Sequence, residues 1–298
     1  MKIYILGCGG MLGDALYKHL KSLDYEVLAT DIQLTSDWVK YQDVCDSCGI
    51  HQTIQQFKPD AIINLAAMTD MERCEQFPDL AIEINALGSA YCAEEAYRLD
   101  IPYVYISTAG IFGGCTKEYY DDDDKPIPAC VYARGKYWGE LIAQTVSKHI
   151  VLRCGWQMGS GPKDKKFIQK IWKQIKAGAT ELNVVTDKGG SPTYVTDFSM
   201  QIETLLRNRC WGTFNTVCKG FATRYDVAME FVKLLGLPIK VNVVPSTFWK
   251  KQFFAPRPAS EKLLTLKLDA TGLNVMRPWK EALSEYVKEY ADYFSLEK

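Results

Sequence analysis

Tyr132 and Lys136 lie four residues apart in VYARGKYWGELIAQ, a spacing that stacks both side chains on one face of a helix. A phenol with an ordinary pKa of ~10 transfers protons at neutral pH when a nearby fixed cation stabilises its phenolate, and three units of depression correspond to about 4 kcal/mol. Such a pair arises by chance on many helices, because Tyr is commonly core and Lys commonly solvated. Here a third group gives it meaning. The apolar run IPYVYIST (101–108) ends in Ser107 and Thr108 ahead of the turn AGIFGG. A Thr108 hydroxyl at that place can hydrogen-bond a substrate carbonyl while Tyr132 delivers the proton, which is the electrophilic assistance that hydride transfer to a ketone needs.

Hydride needs a carrier, and GCGGMLG (7–13) directly follows the run KIYILG and opens an amphipathic stretch. Gly7 permits a tight turn, Gly9 and Gly10 let backbone N–H groups approach a pyrophosphate, and Gly13 lets helix and strand pack closely. Asp31 follows at the end of the next apolar run, where its carboxylate accepts from adenosine ribose hydroxyls and repels a 2′-phosphate. The expected cofactor is therefore NAD(H) or NADP(H), with Asp31 favouring NAD(H).

These residues must be positioned by the elements around them. KIYILG (2–7), YEVLATD (25–31), DAIINLA (60–66), IPYVYIST (101–108) and HIVLRC (149–154) predict buried parallel strands. Stretches 11–23, 79–99 and 132–149 carry apolar residues at helical spacing between them. The alternation predicts an α/β fold, a Rossmann-type doubly wound parallel sheet with ligands outside the carboxyl ends of its strands. After Cys154 the pattern loosens: helices are expected over 167–178, within 189–206, over 223–236 and over 278–294, with a strand at 238–245. This predicts a cofactor-binding domain over 1–158 and a smaller, mainly substrate-binding α/β domain over 159–298, with 212–217 as a candidate strand returning to the main sheet.

Composition narrows the function classes. With 35 basic and 36 acidic residues in 298, net charge −1, neither nucleic acid nor a membrane surface is an expected partner. MKIYILGCGG runs into the glycine cluster without a small-residue cleavage site, so it does not read as a signal peptide, and no run of about 18 apolar residues predicts a membrane span. Ten scattered cysteines in a chain of this size fit reduced thiols in a cytoplasm. Cys45, Cys48 and His51 form C-x2-C-x2-H, but no second pair at ligand spacing completes a zinc site, and no metal is expected. The run Asp121–Asp124 reads as a solvated loop beside the chemistry, since adjacent acids in an extended loop do not converge on a cation.

Taken together, GCGGMLG (7–13), NLAA (64–67), NALG (85–88), ST (107–108), Y-x-x-x-K (132–136) and LR (152–153) resemble the extended short-chain dehydrogenase/reductase superfamily. NLAAMTDMERCEQFPDLAIEINALG, VYARGKYWGE, LRCGW, VVTDKGGSPTYVTDFS and RPASEKLLTLKL are similar, in order, to stretches of its dTDP-4-dehydrorhamnose reductase family. The resemblance implies reduction of the 4-keto group of a nucleotide-activated deoxysugar by a monomer or homodimer. It implies Thr108, Tyr132 and Lys136 as the catalytic group, with Tyr132 as general acid and Lys136 on the nicotinamide ribose. It further implies Gly7, Gly9, Gly10, Met11, Leu12, Gly13, Asp31, Asp43, Val44, Ala66 and Ala67 along the cofactor. Met68 and Trp156 would pack on the sugar, and Arg257 would approach the phosphates. The chain departs from the family pattern at Ala109 and Gly110, where an acid and an aromatic ring are usual, and at Lys166, where Asn is usual. Losing that ring reshapes the sugar subsite. An epimerase or dehydratase of the same superfamily and a non-catalytic regulatory subunit stay open as alternatives.

Overall fold

A computed structural model of the chain describes residues 1–296. The apolar runs form one seven-stranded parallel sheet in the order Gly212–Asn215, His149–Cys154, Tyr103–Thr108, Ala61–Asn64, Lys2–Leu6, Glu26–Asp31, Val39–Tyr41. The chain builds outward in one direction from Lys2–Leu6 and then returns to build in the other, so strand order reverses between Lys2–Leu6 and Ala61–Asn64. That switch point opens a crevice at the carboxyl ends of the strands. The central strands are buried throughout and mostly apolar because helices cover both faces: every residue of Tyr103–Thr108 and Ala61–Asn64 is buried. One core lies against helices Met11–Ser22 and Val195–Arg207. The other lies against Ser47–Phe57, Gly88–Leu99 and Val131–Ala143.

The rest of the C-terminal half builds outside this sheet. Ala222–Thr223, Gly189–Gly190, Ser260–Leu263 and Tyr119–Tyr120 form a small four-stranded sheet. Pro192–Tyr194 pairs with Trp156–Met158, and Lys240–Val244 with Glu181–Val185. Helices Phe167–Lys176, Arg224–Leu235 and Trp279–Glu289 stand within the expected stretches, and Val195–Arg207 passes the end of its own by one residue.

Three features differ from the sequence reading. The short strand Val39–Tyr41 and the helix Ser47–Phe57, capped by Asp46 accepting from the Gly49 N–H, are too polar to announce themselves by periodicity. The helix expected over 79–99 is split into Pro78–Ile82, a π-helical turn Glu83–Leu87, and Gly88–Leu99. The wider turn carries Asn85, whose side chain is occupied elsewhere; such insertions commonly mark functional positions.

The acid run also needs correction. Asp122 is buried, not solvated: its carboxylate accepts from the Asn215 N–H at 2.5 Å and the Lys267 N–H at 3.0 Å. Its carbonyl accepts from Arg153 Nη1 at 2.9 Å. Burial lifts its pKa above the usual carboxylate range. Asp122 therefore clamps the edge strand Gly212–Asn215 to helix Leu266–Ala270, a long-range role that four adjacent acids cannot reveal.

Candidate active site

Alternation along Tyr103–Thr108 sends its last two hydroxyls opposite ways. Ser107 Oγ donates to Glu140 Oε2 at 2.6 Å inside the protein. Glu140 also receives Arg153 Nε at 3.2 Å and Nη2 at 2.6 Å, a buried, forked ion pair that fixes the Val131–Ala143 helix to the sheet. Thr108 faces the crevice. Its Oγ1 accepts from the Gly110 N–H at 3.1 Å, which leaves its own hydrogen to donate outward. Its hydroxyl lies close enough to the Tyr132 phenol to draw the phenol pKa down.

Helix Val131–Ala143 brings Tyr132 and Lys136 to that place. Tyr132 packs against Met68, Cys74, Ala81 and Val131. Burial, the largest influence, pushes its pKa above the usual phenol value, with Cys154, Cys74 and Glu261 acting in the same direction and Thr108 opposing them. The expected depression by Lys136 is absent from the chain by itself. The Lys136 ammonium instead lies 4.0 Å from the centroid of the Tyr105 ring, and no hydrogen-bond acceptor reaches it among the described residues. Desolvation lowers its pKa to about 7, against upward pulls from Cys154 and Glu140. A desolvated ammonium held only against a ring face is costly unless a better partner arrives.

Across the crevice, Gly7 has φ +82°, and a side chain there would begin 2.4 Å from Ala66 N, so loop and strand approach as only glycine allows. Gly13 is packed as closely against Cys8. The Gly7 and Cys8 N–H groups both donate to Thr30 O, and the Gly9 N–H donates to Asp31 Oδ2 at 2.8 Å. Gly9 is thus committed to Asp31, contrary to its expected freedom. Among the described residues no acceptor takes the N–H groups of Gly10, Met11 and Leu12 at this helix N-terminus, where an anion is favoured. Asp31 Oδ1 accepts from Gln33 N at 2.8 Å. Asp43 Oδ1 accepts from Cys45 N at 2.9 Å, beside buried Val44. Ala66 and Ala67 are half-buried where the switch-point strand ends, with Ala66 N held by Asn64 Oδ1 at 3.0 Å.

Sequence reasoning missed Asn85, Arg224 and Glu261. Asn85 brackets Met68, accepting from its N–H at 2.8 Å and donating to its carbonyl at 3.0 Å; NALG was the available signal. Trp156 is buried, its Nε1 donates to Glu261 Oε2 at 2.6 Å, and the Arg224 guanidinium lies 3.7 Å from its ring centroid. That ring is therefore part of a packed wall rather than a bare sugar platform. Arg224 also stands 4.9 Å from the Phe167 ring, and among the described residues it has neither an ion-pair nor a hydrogen-bond acceptor. Desolvation lowers its pKa to about 10. Arg257 is not a free charge either: it pairs with Glu72 at 2.8 Å. Lys166 Nζ donates to Thr69 Oγ1 at 3.1 Å. His51 Nδ1 lies 2.9 Å from Glu95, and among the described residues no three potential metal ligands converge.

A doubly wound sheet with a glycine turn and open helix N-terminus on one side of its switch point, and a Thr–Tyr–Lys group on the other, defines the short-chain dehydrogenase/reductase class. Comparison with known proteins carries this further. The RmlD substrate binding domain model matches residues 1–292, and the chain belongs to that family. It is 32% identical over 289 residues to spore coat polysaccharide biosynthesis protein SpsK of Bacillus subtilis, covering 97% of each chain. A dTDP-4-dehydrorhamnose reductase of Clostridium acetobutylicum has the same fold, with TM-score 0.89, 31% identity, and 98% of this chain and 100% of that one covered. A Bacillus anthracis dTDP-4-dehydrorhamnose reductase, solved in complex with NADP, superposes with TM-score 0.88 at 28% identity, covering 97% and 99%.

Proposed function

We propose that the protein is an NAD(P)H-dependent reductase of a nucleotide-activated 4-keto-6-deoxysugar. The observation that carries this reading is the placement of Thr108, Tyr132 and Lys136 together at the carboxyl edge of the sheet, facing the glycine turn across the switch point. The Lys136 ammonium, which no carboxylate pairs among the described residues, and the N–H groups of Gly10, Met11 and Leu12 fit a dinucleotide. Lys136 would hold the nicotinamide ribose, the helix N-terminus the pyrophosphate, Asp31 the adenosine ribose, Asp43 and Val44 the adenine, and Ala66 and Ala67 the wall between. When bound, that cofactor supplies the hydride.

The chain's own residues do the rest. Thr108 donates to the carbonyl oxygen and Tyr132 passes it a proton. A raised phenol pKa keeps Tyr132 protonated at neutral pH, as an acid in the reducing direction must be. Giving up that proton leaves a phenolate, which the Lys136 ammonium, one helical turn away, is placed to stabilise. Met68 and the Trp156 wall exclude water from the sugar. Arg224 and Lys166 supply cationic charge on the substrate side, and residues after 158, the strand near 212–217 excepted, cover the sugar nucleotide. Asp31 favours NADH over NADPH. All these groups come from one chain, so the reading needs no second subunit, and the ten free cysteines agree with a reducing cytoplasm. Among the described residues no helix is long and apolar enough to cross a membrane.

The test is incubation with NADH or NADPH and a panel of 4-keto-6-deoxy nucleotide sugars. Loss of nicotinamide absorbance in proportion to sugar reduced is the expected result. Conversion of the sugar without net loss of absorbance would instead establish an epimerase or dehydratase.

A further inference from the structure

We propose that Glu261 reads the sugar beside the reacting carbon, selecting substrates with a hydrogen-bond donor there; this rests on the reductase reading of the same site. Glu261 lies in the strand Ser260–Leu263, where alternate side chains face opposite ways. Ser260 and Lys262 turn to Glu118, leaving Glu261 on the other face. In register Glu261 stands opposite Gly190. A side chain on Gly190 would begin 2.4 Å from the Trp156 ring, so the bare backbone there is what seats the indole. Trp156 Nε1 in turn holds Glu261 Oε2 at 2.6 Å, fixing the carboxylate.

The second oxygen is uncommitted. Glu261 Oε1 has no hydrogen-bond partner among the described residues, and it lies 3.8 Å from the point where a Gly110 side chain would begin. Thr108 Oγ1 lies 3.4 Å from the same point. Thr108's donor and Glu261's acceptor thus border one space, which Gly110 leaves open. Glu261's charge is felt by both Tyr132 and Arg224. An ionised carboxylate only accepts. With the substrate carbonyl on Thr108, the neighbouring ring carbon must present a donor to Glu261, and in a 4-keto-6-deoxyhexose the carbon that can do so is C3. A 3-hydroxyl or 3-amino group satisfies the carboxylate, whereas a 3-deoxy carbon leaves it unpaired.

Calorimetric binding of dTDP, a dTDP-6-deoxyhexose and its 3-deoxy counterpart to the wild type, Glu261→Gln and Glu261→Ala tests this without turnover. Gln retains an acceptor for Trp156 and presents an amide donor to the sugar. Glu261→Gln should weaken the hydroxylated sugar nucleotide by about tenfold, the scale of a hydrogen bond to a charged group, with dTDP and the 3-deoxy ligand little changed. Glu261→Ala, which also frees Trp156, should weaken both sugar nucleotides. A 3-amino ligand should lose at least as much as the 3-hydroxyl one with Gln. Equal losses for dTDP and the sugar nucleotides, or unchanged affinity for the hydroxylated ligand, would overturn the proposal. Binding that follows the expected pattern without nicotinamide consumption would sink the reductase reading alone.

Discussion

The Lys136 ammonium rests 4.0 Å from the centre of the Tyr105 ring, with a pKa lowered to about 7 by desolvation. A ring face compensates a cation only in part. The folded chain therefore binds fewer protons than the unfolded chain between pH ~7 and the free-lysine value of ~10.4. Its stability should rise with pH across that window, the cost of burial being present in full below it. Lys136→Met should raise stability at pH 7 by roughly 1 kcal/mol or more and flatten that rise while abolishing reduction. Denaturant unfolding of both proteins from pH 6 to 10 checks it; a less stable variant would show that the ammonium has a partner.

Tyr132→Phe should lower the rate of reduction by about 10²–10⁴-fold with little change in nucleotide affinity, because it removes the proton and keeps the ring packed on Met68. Thr108→Val should be milder in rate but should also cost stability, since the Gly110 N–H loses its acceptor. Single-turnover reduction and cofactor titration separate the two; a Tyr132→Phe rate within a few-fold of wild type would place the acid elsewhere.

Asp31→Ala should shift preference toward NADPH relative to NADH. It should also weaken both cofactors, because the carboxylate anchors the Gly9 and Gln33 N–H groups and thereby shapes the turn. The ratio of dissociation constants for the two cofactors is the measurement, and an unchanged ratio would mean that Asp31 serves the turn alone.

Asp164 is buried with a pKa raised to about 6, desolvation outweighing the Lys166 N–H and Tyr286 hydroxyl donors. Its charge costs nothing below the unfolded value of ~3.9, and the cost grows to its full size above about pH 6. Asp164→Asn should therefore be neutral to stabilising at pH 7, by up to ~2 kcal/mol, and indifferent at pH 4. Thermal melts at the two pH values decide it.

Glu140→Ala should cost about 3–5 kcal/mol, because it strands the buried Arg153 charge and the Ser107 hydroxyl together. Substrate affinity of whatever folds should survive at low temperature, since neither group faces the crevice, whereas the cofactor should weaken because Glu140 helps keep Lys136 charged. Denaturant midpoints measure the loss; a drop under ~1 kcal/mol would show that water replaces Glu140.

Local pattern alone determined much of this protein. Period and composition identify strands such as Tyr103–Thr108 because buried parallel strands are near-continuous apolar runs. Glycines at 7 and 13, and an acid at 31, place a turn that the backbone makes in that form. Tyr132 and Lys136 share a helical face by spacing alone. Tertiary structure decided what depends on residues far apart in sequence. It buried Asp122 against Asn215 and Lys267, turned the Lys136 ammonium toward Tyr105, and paired Arg257 with Glu72. It also set Glu261, 105 residues from Trp156, beside Thr108 and Gly110. Hydrogen bonds and desolvation depend on which groups the fold brings within a few ångströms, and no local periodicity encodes those distances.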